Sequence, residues 1–334
     1  MKKYLSLLCI LFVLQFSYAQ SPDAKQLHET AKTFMKQGDF PNAILVLNRA
    51  IQLAPQDMDI SKDLALNYYF QKDNNKALGI ILPLLERGDV DDQCFQIAGN
   101  IYKELGMEKE CEKVYKKGIK KFPESGLLYN DWGELLLAQR NADAIKFWEK
   151  GIEQDPSFSK NYYNAAKYYF LTTDKVWGIL YAEMFINMEP LGNKTPEIKE
   201  LLVESYKKLF SDVNLEQSNK DKNNFVRAYL QSMNKQTSLA SMGINTESLA
   251  MIRIRFILDW NNGNNAKFPF RLFDYQHQLL QEGMFDAYNQ WIFEPAQNLA
   301  AFQNWITIHS IEYNAFNNFQ KGKFFKIPAG QYYH

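Results

Sequence analysis

The sequence predicts an all-α protein in two parts: an array of helical hairpins over residues 24–190, then an aromatic-rich α-helical C-terminal domain over 246–334. Three observations predict it. Small and large apolar residues recur in phase with a period of about 34 residues, a spacing at which helix–turn–helix units stack. Proline closes four of the five copies, where it ends a helix because it has no N–H to donate to the ladder. From Phe268 onward roughly a quarter of the residues are aromatic at helical spacings, against 15% for the whole 334-residue chain.

Residues 1–19 read as a secretory signal peptide. Lys2 and Lys3 form its charged start, and Leu5 to Phe16 an apolar stretch shorter than the ~20 residues of a membrane span. Ser17 and Ala19 are the small residues that cleavage after Ala19 requires, leaving Gln20 first. An uncleaved anchor is the alternative. Cys9 lies within the apolar stretch, and no Cys stands at the cleavage point to receive lipid. The mature chain is therefore expected to be exported, periplasmic or secreted, with no membrane span after signal cleavage.

The first copy carries Ala31, Phe34, Gly38, Ala43, Leu47, Ala50 and Pro55. The second carries Ala65, Tyr68, Ala77 and Ile81, lacks the closing proline and has Pro83 late in its second helix. The third carries Gly99, Tyr102, Gly106, Cys111, Tyr115, Gly118 and Pro123. The fourth carries Trp132, Gly133, Leu136, Ala144, Trp148, Gly151 and Pro156, with a turn about one residue short. The fifth carries Ala166, Tyr169, Gly178, Ala182, Phe185 and Pro190.

This set resembles the tetratricopeptide (TPR) repeat family, which places small residues at positions 8, 20 and 27, large apolar ones at 11 and 24, and proline at 32. The resemblance covers about half the chain. It implies a right-handed superhelix whose first helices, A, line a groove that holds another protein or peptide. No single hairpin buries its apolar face alone, so neighbours share a core and the array needs an end cap.

Thr195-Pro196-Glu197 is a helix start, with Thr as cap, and opens a capping helix within 191–210. Residues 211–245 read as a polar linker with a short helix near Phe225 to Met233. Thr246-Glu247 opens an apolar segment, Leu249 to Trp260, and Asn261 to Asn265 form a turn. A helix is preferred there because Arg255 and Asp259 stand at i,i+4; alternation around Arg253 and Arg255 leaves a strand as the alternative. Pro295 is expected to start a later helix, Ser310 to cap the last, and Lys321 to His334 to pack as an irregular tail.

Formal net charge is zero, with 38 basic and 38 acidic residues, so the chain lacks the basic footprint of a nucleic-acid binder. Cys94 and Cys111 remain after signal cleavage. Their repeat positions put them about five residues apart along the axis of one hairpin, beyond disulfide range at ~1.5 Å per residue. They are expected as separate small core residues.

No metalloprotease helix, phosphate-binding glycine loop, dinucleotide fingerprint or nucleophile elbow is present. Asp274 with His277, and His309 with Glu312, are the pairs that a C-terminal metal or acid–base site would use. No catalytic, cofactor-binding or metal-ligating residue is assigned, and no cofactor is expected.

The groove positions that the resemblance transfers are Asp63, Tyr69, Asn100, Asn130, Asp131, Glu134, Tyr163, Asn164 and Lys167. An amide side chain donates and accepts at once, so Asn100, Asn130 and Asn164 would suit the backbone of an extended peptide. The Lys/Asn/Arg set by which some members grip a terminal carboxylate is absent. The expected function is a non-catalytic protein-binding scaffold or adaptor of the bacterial cell envelope. The alternatives are an enzyme or ligand-binding domain tethered by the repeats, favoured if a pocket collects Asp274, His277 and His309, and a glycan binder, which needs exposed faces of Trp291 and Trp305.

Overall fold

The computed structural model describes residues 23–172, 174–211, 215 and 223–334, with eighteen helices and no strand among them. The expected signal at 1–19 lies outside the described residues, as does most of 211–222. The chain divides into two compact units, one ending at Val114 and one beginning at Tyr115.

The first unit contains α1 (Ala24–Gln37), α2 (Phe40–Leu53), α3 (Met58–Phe70), α4 (Asn74–Leu84), α5 (Asp92–Glu104) and the start of α6 (Glu108–Lys121). Each helix packs on the next from α1 to α5. The helices begin where aspartates accept from orphan amides of the first turn: Asp23 from Gln26 N at 2.7 Å, Asp57 from Ile60 N at 3.0 Å, Asp91 from Cys94 N at 3.0 Å. The turn from helix A to helix B needs one left-handed residue. Gly38 (φ 74°) and Gly106 (φ 69°) supply it without a Cβ clash, whereas Lys72 (φ 64°) and, in the fourth repeat, Arg140 (φ 57°) adopt it with side chains. Small residues meet at the hairpin centres, with Ala31, Ala43, Ala50, Ala65 and Ala77 fully buried. Cys94 and Cys111 are both buried and free, and the Cys111 thiol lies 3.2 Å from Gly99 O.

The second unit begins with the fourth and fifth hairpins: α7 (Gly126–Ala138), α8 (Ala144–Gln154), α9 (Ser159–Phe170) and α10 (Lys175–Met188). Then come α11 (Thr195–Phe210), α12 (Asn224–Asn234), the single turn α13 (Thr237–Ala240) and α14 (Thr246–Gly263). Four helices close it: α15 (Arg271–Gln281), α16 (Phe285–Gln297), α17 (Leu299–Ile308) and α18 (Ser310–Gly322). One apolar core runs without a break from Leu136 in α7 to Ile327 in the tail. Helix α10 is its axis: it packs on α9, α11 and α12, and every residue from Val176 to Asn187 is buried.

Several local expectations change here. Thr195 does not cap α11; it is the first helical residue, and its hydroxyl donates to Glu189 O. Pro295 lies inside α16 near its end, where Asn298 takes over as cap of α17 by accepting from Ala301 N at 3.0 Å. Ser310 is the first residue of α18, with His309 in the cap position and no side-chain cap bond. Residues 246–263 are helical, and α14 runs on through Asn261 to Gly263. In the described part of 211–245, Phe225, Val226, Tyr229, Leu230, Met233 and Leu239 are core residues, so this stretch is packed structure. After Gly322 the tail is irregular but anchored, with Phe325 and Ile327 buried and Tyr333 stacked on Phe225 at 4.7 Å.

Candidate functional site

The sequence-selected groove residues fall on both units. In the first, Asp63 Oδ2 lies 2.7 Å from His28 Nε2, joining helices A of the first two repeats. Lys62 bridges Asp59 and Asp91. Tyr69 is half-buried, with its ring 5.7 Å from Phe70, which itself packs 4.9 Å from Phe40. Burial, and then the neighbouring Glu104 carboxylate, push the Tyr69 hydroxyl pKa up. Glu104 in turn accepts from Lys72 Nζ at 2.9 Å. Asn100 is half-buried.

In the second unit the remaining residues bind one another. Asn130 is 1% exposed. Its Nδ2 donates to Asp131 Oδ1 at 2.8 Å and Glu134 Oε1 at 3.2 Å, and its Oδ1 accepts from Asn164 Nδ2 at 2.8 Å. Its backbone carbonyl accepts from Trp148 Nε1 at 3.2 Å. Both ends of this amide are engaged, so Asn130 has nothing left to offer a peptide. Tyr163 and Lys167 reach α11: the Tyr163 hydroxyl donates to Glu197 Oε2 at 3.0 Å, and Lys167 Nζ to Glu197 Oε1 at 2.5 Å. They hold the capping helix to the fifth repeat.

A different feature recurs from repeat to repeat. The C-terminal end of helix A exposes a large apolar side chain in four successive repeats: Phe70, Leu105, Leu137 and Leu171, the last at 82%. Single exposed leucines are ordinary; these four recur near the end of helix A, two in the first unit and two in the second, without sharing one repeat offset. The three leucines are not among the groove positions taken from the repeat.

Three buried polar groupings escaped the sequence reading. Glu183 on α10 accepts from Arg253 of α14, from Gln276 Nε2 at 2.6 Å and from Tyr288 OH at 2.7 Å. Arg253 Nη1 also donates to Asn289 Oδ1 at 2.5 Å, and its guanidinium lies 4.9 Å from the Phe293 ring. Glu149 on α8 accepts from Tyr169 OH at 2.5 Å and lies 3.2 Å from His334 Nδ1. Burial pushes the Glu149 carboxyl up to about 7. Lys199 on α11 donates to Trp291 O at 2.7 Å with its ammonium 3.7 Å from the Trp291 ring, and burial brings it down to about 7. The one available signal was a lone charge inside an apolar run, as with Glu183. The partners are remote in sequence.

Asp274, His277 and His309 do not share a cavity among those around the C-terminal helices. His309 stacks on Trp305 at 4.7 Å and lies 3.9 Å from Glu312. Trp291 is buried against Tyr288 and Phe316 rather than presented to a sugar. Among the described residues no group of three or more His, Cys, Asp or Glu side chains is placed to hold a metal, and no helix is long and apolar enough to cross a membrane.

Paired helices at the repeat period, small residues at their crossings and a left-handed turn between them define an all-α protein of the tetratricopeptide type. No family model and no curated protein matches the chain. Among solved structures it is similar to a tetratricopeptide repeat protein from Parabacteroides merdae, at 15% identity over 75% of this chain and 96% of that one, TM-score 0.41. It is also similar to PilF of Pseudomonas aeruginosa, at 14% identity over 66% and 91%, TM-score 0.44. A third similarity is to the human IFIT1 dimer with PPP-AAAA, at 15% identity over 88% and 63%, TM-score 0.40.

Proposed function

We propose that the chain is a non-catalytic, protein-binding scaffold exported to the bacterial cell envelope. The observation that carries the binding role is the exposed apolar side chain near the helix-A end of successive repeats, Phe70 and Leu105 in the first unit and, separately, Leu137 and Leu171 in the second. Burying what such residues still expose yields at most roughly 1.5–3 kcal/mol each, and a few of them suffice as anchors. A protein or peptide partner is favoured over nucleic acid because the formal charge is zero. Export rests on the charged, apolar and small-residue pattern of residues 1–19.

In-cell crosslinking of the tagged protein tests the binding role. An envelope protein captured by the wild type should be lost from the Leu137→Asp/Leu171→Asp variant, whose substituted positions both lie in the second unit, are exposed and should leave helicity unchanged. Equal capture by both would move the interaction off the helix-A ends. Fractionation with N-terminal sequencing tests export: the mature protein should begin at Gln20 and leave with the periplasmic or secreted fraction, and an intact N-terminus in the cytoplasm would refute it.

A further inference from the structure

Three cavities adjoin one another along the loop from α10 to α11. One of about 320 Å³ shares Met188, Phe324 and Phe325 with a central one of about 360 Å³. The central one shares Pro190 and Leu191 with a third of about 270 Å³, which Lys199 and Pro295 help to line. Each is of the size that holds a small ligand or a side chain. Together they make a groove within the second unit that follows the loop from α10 to α11.

The central cavity joins apolar walls to a basic lining. Its two lips are Leu191, 92% exposed, and Phe324, 81% exposed, while Tyr275 and Phe325 are buried beneath. Two of its lining amides are incompletely bonded. Asn187 Nδ2 donates to Glu183 O at 2.8 Å and Tyr288 OH at 2.7 Å, which fixes the orientation of the amide and leaves Oδ1 buried without a donor. Gln320 Nε2 is buried without an acceptor. A buried polar atom without a partner costs about 1–3 kcal/mol. Both atoms are shielded from solvent, so neither is offered to an occupant of the cavity. Lys321 and Lys323 line the same cavity and no carboxylate does, although Lys323 Nζ has Glu282 Oε1 at 3.9 Å.

We propose that this groove binds an extended peptide segment of a protein partner, with a large apolar side chain seated in the central cavity and an acidic side chain beside it. The site is separate from the helix-A ends and does not depend on them.

Display of a random peptide library on phage against the mature chain tests it. Enriched peptides should carry an aromatic or large aliphatic residue next to Asp or Glu. Synthesised with a fluorescein label, they should bind the purified chain in an anisotropy titration and weaken at least ten-fold against Leu191→Ser or Phe324→Ser. Lys321→Glu should shift the preference away from acidic neighbours. Phe70→Asp should leave the affinity unchanged. Circular dichroism should show both lip variants folded, since both side chains are exposed. The proposal is overturned if no peptide family is enriched, if the enriched peptides bind the lip variants equally, or if a photocrosslinker at position 324 joins two copies of this chain instead of a peptide.

Discussion

An added Cβ at Gly133 would stand 2.4 Å from Trp148 Nε1, a buried indole held by its bond to Asn130 O. Neither partner can retreat, so Gly133→Ala should destabilise the protein by about 1–3 kcal/mol, despite the ~1 kcal/mol that alanine gains in helix propensity. Gly79 in α4 has nothing within 4 Å of its would-be Cβ, and Gly79→Ala should stabilise by about 0.5–1 kcal/mol. Urea midpoints read both, and the same sign at the two positions would refute the argument. Two buried groups set a pH dependence of opposite senses. Glu149 is raised from 4.5 to about 7 by burial, with Asp174 adding to the rise and the Tyr169 hydroxyl opposing it; His334, Tyr332 and Tyr181 also face it. Its proton is held more tightly in the folded state, so its contribution is full below pH 4.5 and lost as pH rises through 7. Lys199 is lowered from 10.5 to about 7, so folding releases its proton and stability rises from pH 7 towards 10.5. Denaturation midpoints should show Glu149→Gln gaining up to about 3 kcal/mol over wild type between pH 5 and 8, and Lys199→Met losing the alkaline rise. A pH-independent difference between Glu149→Gln and wild type would contradict the buried-carboxylate account.

Among the elements, α10 explains both what was readable and what was not. Its place as the second helix of a hairpin follows from Gly178, Ala182 and Phe185 at the repeat offsets. That Val176, Trp177, Ile179, Tyr181, Met184 and Ile186 are apolar on every side meant burial all round, yet the repeat alone gives no reason for it. The reason is the contact with later helices, which no periodicity reports. Asn130 failed as a groove residue for a similar cause: its repeat position is right, but Asp131, Glu134 and Asn164 already satisfy it. Asn130→Ala should therefore cost about 1–3 kcal/mol by stripping partners from buried polar atoms, measurable as a lowered urea midpoint, whatever it does to binding. The ion pair behind α10 carries a larger penalty. Arg253→Met would leave the Glu183 carboxylate buried without its cation and should cost about 3–5 kcal/mol. An unchanged midpoint would mean that Gln276 and Tyr288 alone hold the charge.

For the whole molecule, the sequence divides the repeats from a C-terminal domain near residue 190, while the second unit holds one core from Leu136 to Ile327. The distinction has a direct test in a chain ended at Phe210, which keeps all five hairpins and the capping helix. If the hairpins close their own core, the fragment spanning residues 23–210 should be a soluble, cooperatively folding monomer. The packing argues the reverse. Removing α12 to α18 and the tail would strip Phe225 and His334 from Trp177, uncover the far side of α10, and leave Glu183 without Arg253, Gln276 and Tyr288. An apolar face of that extent exposed to water is an aggregation surface, and the stranded carboxylate adds its own cost. The fragment should therefore bind a hydrophobic dye, sediment as aggregate and lack a sharp thermal transition, whereas the chain from residue 23 to 334 should show none of these. A monomeric fragment with a cooperative transition would place the structural boundary where the repeat pattern ends and make the C-terminal helices an accessory that the hairpins do not need.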